Sequence, residues 1–221
     1  MMISPEGYYE MNLKDKNPSQ IMTCIRGLKK EIGHCKNVLE NPDDFTEENS
    51  MFPRLDTRLW CTRLYLDRAI QALKDLGVDY TPTKKEIAIE QFENDLKHLY
   101  RFSFNIGGFF GGYQTFTVTL KDDDSIGYYV EHSLMPEPSN LETAEAPFSK
   151  EEFLEMLDDL HLGEWNRKYD NPYVLDGTQW ELTLEFSNGR RKVCFYGSNK
   201  YPWCFDKLTE FFGCYDDGDK E

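Results

Sequence analysis

An acid and an imidazole adjoin at one place in this sequence, Glu131-His132, which makes that pair the first place to look for proton-transfer chemistry. The surrounding residues read as a strand, and neighbouring strand residues face opposite sides of a sheet, so the two side chains cannot serve one substrate atom. Glu181 and Glu185 alternate along a second strand in the manner of a metal-dependent nuclease, but no lysine stands at alternating spacing beside them. The histidines His34, His98, His132 and His161 are scattered without metal-ligand spacing. Cys24, Cys35, Cys61, Cys194, Cys204 and Cys214 contain no C-x-x-C pair and read as free thiols packed like small apolar residues. No nucleophilic-serine motif, phosphate loop or dinucleotide fingerprint occurs. The sequence therefore offers no catalytic residue, no metal site and no cofactor. A hydrolase with an unrecognised site remains as a third reading, with Glu131 and His132 as its test residues.

Charge is more informative. The 221 residues carry 25 Lys+Arg and 40 Asp+Glu, a formal net charge of −15. Residues 1–100 hold 14 bases and 17 acids, and residues 101–221 hold 11 and 23, so the second part carries −12 of the total. Between Asp122 and Asp159 there are 12 carboxylates and one base, Lys150. Such a segment repels nucleic acid and attracts basic partners. Glu152, Glu155 and Asp159 are spaced 3 and 4 on a predicted helix, which aligns them as a row about 5–6 Å apart. Glu151 and Asp158 flank the row, and Asp122, Asp123 and Asp124 could extend it. A solvated helix face and a polar turn are the commoner meaning of any single run of this kind.

The stretch Phe104–Val118 sets two glycine pairs around Phe109 and Phe110. Because the glycines lie between two strand-like runs, with no helix following, the stretch reads as a hairpin tip or bulge and not as an anion-binding loop. Gly107, Gly108, Gly111 and Gly112 then supply positive φ for the bend while Phe109 and Phe110 fold onto the sheet; the alternative is that these two rings anchor a partner. Trp165, Tyr173, Trp180, Tyr196, Tyr201 and Trp203 could form a binding face, but most are assigned to the core.

These residues must be positioned by elements whose pattern changes along the chain. Asn17-Pro18-Ser19-Gln20 announces a helix to about Glu40, with Ile21, Ile25, Leu28, Ile32, Cys35 and Leu39 forming a 4-3 seam. A second helix from Leu55 repeats that spacing through Leu59, Thr62, Leu66, Ala69, Leu73 and Leu76, closed by Gly77. Thr83 caps a third helix. Period-two runs follow around Phe102, Phe116 and Tyr128; Ser149 caps another helix; Trp180–Phe186 and Val193–Phe195 flank an Asn188-Gly189 turn; and a short helix carries Phe205, Leu208 and Phe212. The expected fold is α+β: an N-terminal helical hairpin region over residues 1–80 with a third helix behind it, then an antiparallel-sheet domain of order βββαββα over residues 81–221. The absence of a long apolar run and of a basic-then-apolar leader predicts a cytoplasmic protein with no membrane partner.

Taken together, "MISPEGYYE", "IRGLKKEIG", "FNIGGFFGGY", "VEHSLMPEPS", "LDGTQWELTLEFSNG" and "YGSNKYPWCFDKL" resemble an uncharacterised family of small proteins encoded in genomes and mobile elements of gut Firmicutes. The resemblance spans almost the whole chain and brings no catalytic or ligand residue with it. The mobile-element setting implies antagonism of host defence of the anti-CRISPR or anti-restriction type. The resulting expectation is a non-enzymatic acidic protein that inhibits or sequesters a basic nucleic-acid-handling partner, such as a nuclease, by phosphate mimicry. It would bind no nucleic acid directly. The alternative is a structural or adaptor module acting through the helical hairpin, with a homo-oligomer as one form.

Overall fold

The structure, a computed structural model, describes residues 2–45, 52–108, 111–121, 125–133, 141–143, 146–174 and 176–214. The fold is α+β, and the chain divides into two compact units, Met1–Pro82 and Thr83–Glu221.

The first unit is helical. Helix α1 (Pro5–Asn12) starts at Ser4, whose hydroxyl accepts the Gly7 N–H. Helix α2 (Pro18–Glu40) opens with the reciprocal Asn17/Gln20 capping box, and α3 spans Leu55–Asp75. Helices α2 and α3 pack lengthwise and antiparallel: Arg58 near the start of α3 hydrogen-bonds Glu31 in the second half of α2. Their shared core holds Ile21, Ile25, Leu28, Ala69 and Leu73, with Leu66 packed at its margin. The seam departs from a strict heptad. Val38 is buried where Leu39 was expected, and Ile32 is half-buried, because a straight helix turns every 3.6 residues and drifts off a 3.5-residue repeat. At the other end Leu76 is exposed and serves as the C-cap, followed by Gly77 at φ 75°. Helix α1, which has no counterpart in the sequence reading, is held by a Tyr8–Tyr65 ring stack at 4.4 Å and by the Tyr65 hydroxyl donating to the Ile3 carbonyl at 2.7 Å.

The second unit begins with α4 (Lys84–Leu96), capped by Thr83 and Glu86. It continues through β1 (Leu99–Gly108), β2 (Gly112–Leu120), β3 (Ile126–Ser133), β4 (Leu141–Thr143), α5 (Lys150–Asp159), β5 (Lys168–Asp170), β6 (Gln179–Phe186), β7 (Val193–Ser198) and α6 (Phe205–Phe212). Among the described residues seven strands form one sheet in the order β4-β3-β2-β1-β6-β7-β5, and among these only β5 runs parallel to its neighbour, β7. The expected meander and hairpin are thus joined through an antiparallel β1–β6 pairing that aligns Phe102 with Leu184 and Phe104 with Leu182. The longer elements follow the order βββαββα, to which the structure adds the two three-residue strands β4 and β5, too short to show a period.

The sheet has two unlike faces. Phe102, Phe104, Phe116, Val118, Trp180, Leu182, Leu184 and Phe195 point to one side and build the core with residues of α4, α5 and α6. Phe212 of α6 stacks on Phe102 at 5.7 Å, and Phe153 of α5 meets Phe102 edge-on at 5.3 Å. The opposite face carries Arg101, Ser103, Asn105, Thr115, Thr117, Glu131, Glu181, Thr183, Glu185 and Tyr196, as the period of two requires.

The glycine stretch behaves differently from its sequence reading. Gly107 and Gly108 are extended and in register within β1; among the described glycines of the stretch only Gly112 has positive φ, at 75°. What Gly107 supplies is room: a Cβ there would lie 2.1 Å from the Gly112 carbonyl oxygen. Phe109 and Phe110 lie outside the described residues.

Candidate functional site: the carboxylate face of helix α5

Helix α5 buries Phe153, Met156 and Leu157 and turns its other side outward. Glu151, Leu154, Glu155 and Asp158 are spaced i, i+3, i+4 and i+7, so they share one exposed stripe. Leu154 is 40% exposed in the middle of three carboxylates. Beside this stripe, a concavity of about 410 Å³ is lined by Glu152, Glu155, Met156, Asp158 and Asp159.

The five carboxylates expected from sequence are not equivalent. Glu152 completes the helix cap: its carboxylate accepts the Ser149 N–H at 2.7 Å and the Ser149 hydroxyl at 2.9 Å, while its own N–H bonds back to Ser149. Those bonds, the backbone one foremost, hold its carboxyl below the usual glutamate range. Asp159 pairs with Lys207 of α6 at 2.8 Å. Glu151, Glu155 and Asp158 make no hydrogen bond or ion pair among the described residues. The predicted row Glu152–Glu155–Asp159 is therefore partly occupied by its own structure, and the stripe with no partner among the described residues is Glu151–Glu155–Asp158. Asp122, Asp123 and Asp124 lie outside the described residues. Lys150, at the start of α5, donates to the carbonyl of Lys121 at 3.2 Å.

One acid joins this surface that sequence spacing did not disclose. Glu93 of α4 accepts the Gly163 N–H at 2.8 Å in the short 3-10 turn Leu162–Glu164 that follows α5. Gly163 has no side chain to block the approach; a Cβ there would stand 2.8 Å from the Glu93 Oε1. Burial raises the Glu93 pKa, the Gly163 N–H opposes that, and the carboxylates of Asp158 and Glu164 add to the rise. The signal lay in no local pattern, since Glu93 and Gly163 are 70 positions apart.

The remaining candidates separate cleanly. Trp165 and Trp180 are core residues, Tyr201 and Trp203 pack at the core margin, and Tyr173 and Tyr196 are exposed. Glu131 is half-buried on the sheet face opposite Phe102 and Phe104, and His132 points to the other side. Among the described residues no group of three or more His, Cys, Asp or Glu could hold a metal ion. All six cysteines are free thiols; burial pushes Cys214 up to about 12, which keeps it protonated and inert. Among the described residues no helix is long and apolar enough to cross a membrane. No protein-family model, no curated protein and no solved structure matches the chain.

Proposed function

We propose that this chain is a non-enzymatic acidic binding protein that inhibits or sequesters a basic, nucleic-acid-handling partner by occupying its phosphate-binding surface. The observation that supports it is the stripe Glu151–Leu154–Glu155–Asp158: three carboxylates that make no ion pair among the described residues, around an exposed leucine. Helix stability does not account for it. Asp158 stands in the last turn, where the helix dipole disfavours an anion, and that turn contains no basic residue. A charge held at a cost to its own helix is best explained by an external cation. The −11 carried between Asp122 and Asp159 supplies the longer-range attraction that steers a basic partner, in the manner of anti-CRISPR or anti-restriction proteins. The adaptor reading needs an apolar seam open to another chain, whereas Ile21, Ile25 and Leu28 are buried within their own unit.

Affinity capture followed by titration against the captured protein at two ionic strengths tests the reading. The triple variant Glu151→Lys, Glu155→Lys, Asp158→Lys should bind at least about tenfold more weakly, and the parent affinity should fall with salt. The fold should survive, because Lys at 151 loses a favourable dipole contact while Lys at 158 gains one. Glu152 and Asp159 are left intact so that neither the cap nor the Lys207 pair is disturbed. Unchanged, salt-insensitive binding by the folded variant would overturn the proposal.

A further inference from the structure

Helix α3 turns Tyr65 towards α1 and buries Ala69 and Leu73 in the core it shares with α2. At about 100° per residue, its remaining side is a stripe of Asp56, Trp60, Arg63, Asp67 and Lys74, with Leu64 at the edge. Trp60 is 62% exposed, and Phe52, just ahead of the helix, is 93% exposed. An indole held in water on a regular helix adds nothing to the core of its own unit, and large exposed rings of this kind mark contact surfaces.

The charges of this stripe are placed symmetrically about the level of Tyr65. Asp56 and Lys74 stand nine positions before and after it, and Arg63 and Asp67 stand two positions before and after. Each of these pairs joins an acid to a base. Phe52 and Val78, both exposed, stand thirteen positions before and after. Two copies of α3 laid antiparallel about a two-fold axis at Tyr65 therefore bring Asp56 to Lys74, Arg63 to Asp67 and Phe52 to Val78, each of them twice. A parallel arrangement would set every charge against its own equivalent. Asp67 and Lys74 make no hydrogen bond or ion pair among the described residues. The ion pair of Asp56 is with Arg54, at 3.6 Å between exposed side chains, and such a contact contributes little.

From this we infer that the protein pairs with a second copy of itself through the outer stripe of α3, the two helices antiparallel and Trp60 of each level with Ile70 of the other. The helix carries three acids and four bases, so the surface itself lacks the close-range repulsion expected of a chain with a net charge of −15. The stripe from Asp56 to Lys74 is about 27 Å long on a helix about 10 Å wide, a footprint of about 270 Å² per copy. That is well short of the roughly 800 Å² per partner of a standard interface, which sets the dimer in the weak class, with a Kd on the order of 10–100 μM. The inference does not depend on the carboxylate stripe of α5. With both in place, the dimer presents that stripe twice, which raises its hold on a partner with repeated sites.

Sedimentation equilibrium of the full chain up to about 500 μM, at physiological ionic strength, tests this and should show a monomer–dimer equilibrium in the stated range. Asp56→Lys and Lys74→Glu each set like charges against one another at two points of the dimer, and each should weaken it at least about tenfold. Mixed in equal amounts, the two variants restore opposite charges at both points, so a heterodimer should form with an affinity close to that of the parent. Trp60→Ala, which alters neither an end of the helix nor the core, should also weaken the dimer while leaving the melting temperature of the monomer unchanged. A parent that stays monomeric over the whole range, single charge variants that dimerise like the parent, or folded charge variants whose mixture stays monomeric would each overturn the inference. Should a charge variant fail to fold, Trp60→Ala decides alone: a folded Trp60→Ala protein that dimerises as tightly as the parent would overturn it.

Discussion

At the scale of single residues, the acids of this protein divide by what already holds them. Glu93 is the sharpest case, since its carboxylate is partly buried, tied to the Gly163 N–H and crowded by Asp158 and Glu164. Its pKa in the folded chain lies above the unfolded value, so the fold favours its protonated form. The associated stability is complete below about pH 4.3 and is lost as the pH rises through the raised value. Glu93→Gln keeps an acceptor for Gly163 and removes the ionisation. The variant should therefore melt at or above the parent temperature at pH 7 and match it at pH 4. Thermal melts across that range check this, and a variant less stable than the parent at pH 7 would contradict it. The case also marks a limit of reading residues from spacing. Glu152 satisfies both a capping box and an acidic row, and spacing alone cannot say which role its carboxylate takes. The Ser149 bonds decide it for the cap.

At the scale of elements, close approach sets the strictest demands. Gly197 of β7 stands opposite Trp180 of β6, and a Cβ on it would fall 2.3 Å from the indole Nε1 and 2.7 Å from the Lys200 carbonyl oxygen. That indole N–H donates to the same Lys200 carbonyl at 3.0 Å. Gly197→Ala should break this bond and displace a core tryptophan, costing about 2–4 kcal/mol. Urea unfolding and the near-ultraviolet tryptophan signal read the effect; a loss below about 0.5 kcal/mol would show that the loop yields. The longer elements were legible in sequence because caps and periods agree: Asn17/Gln20, Thr83/Glu86 and Ser149/Glu152 each begin a helix where the apolar spacing begins. Leu99, three residues after Leu96, would continue the apolar stripe of α4 but opens β1 instead. Helix α1 and strands β4 and β5 escaped because eight and three residues hold too little pattern, and β5 pairs with β7 only through tertiary placement.

At the scale of the whole molecule, each unit builds its core from its own residues. Residues 83–221 expressed alone should consequently melt in one cooperative transition with a native-like tryptophan signal, as calorimetry and circular dichroism would show. A non-cooperative fragment would mean that residues 1–82 complete that core. The total charge and its concentration in the second part were plain in the sequence. Which acids already have a partner was not, because Asp159 meets Lys207 across 48 positions and Glu185 accepts the Tyr100 hydroxyl across 85. The sheet order has one more consequence. Among the described residues its outermost strands, β4 and β5, are three residues long, and a strand that short gives another copy little backbone to extend as a ribbon. Under the antagonism proposed above, the protein would have to accumulate to the concentration of its target, where short edge strands and a strong negative charge both work against open-ended self-association.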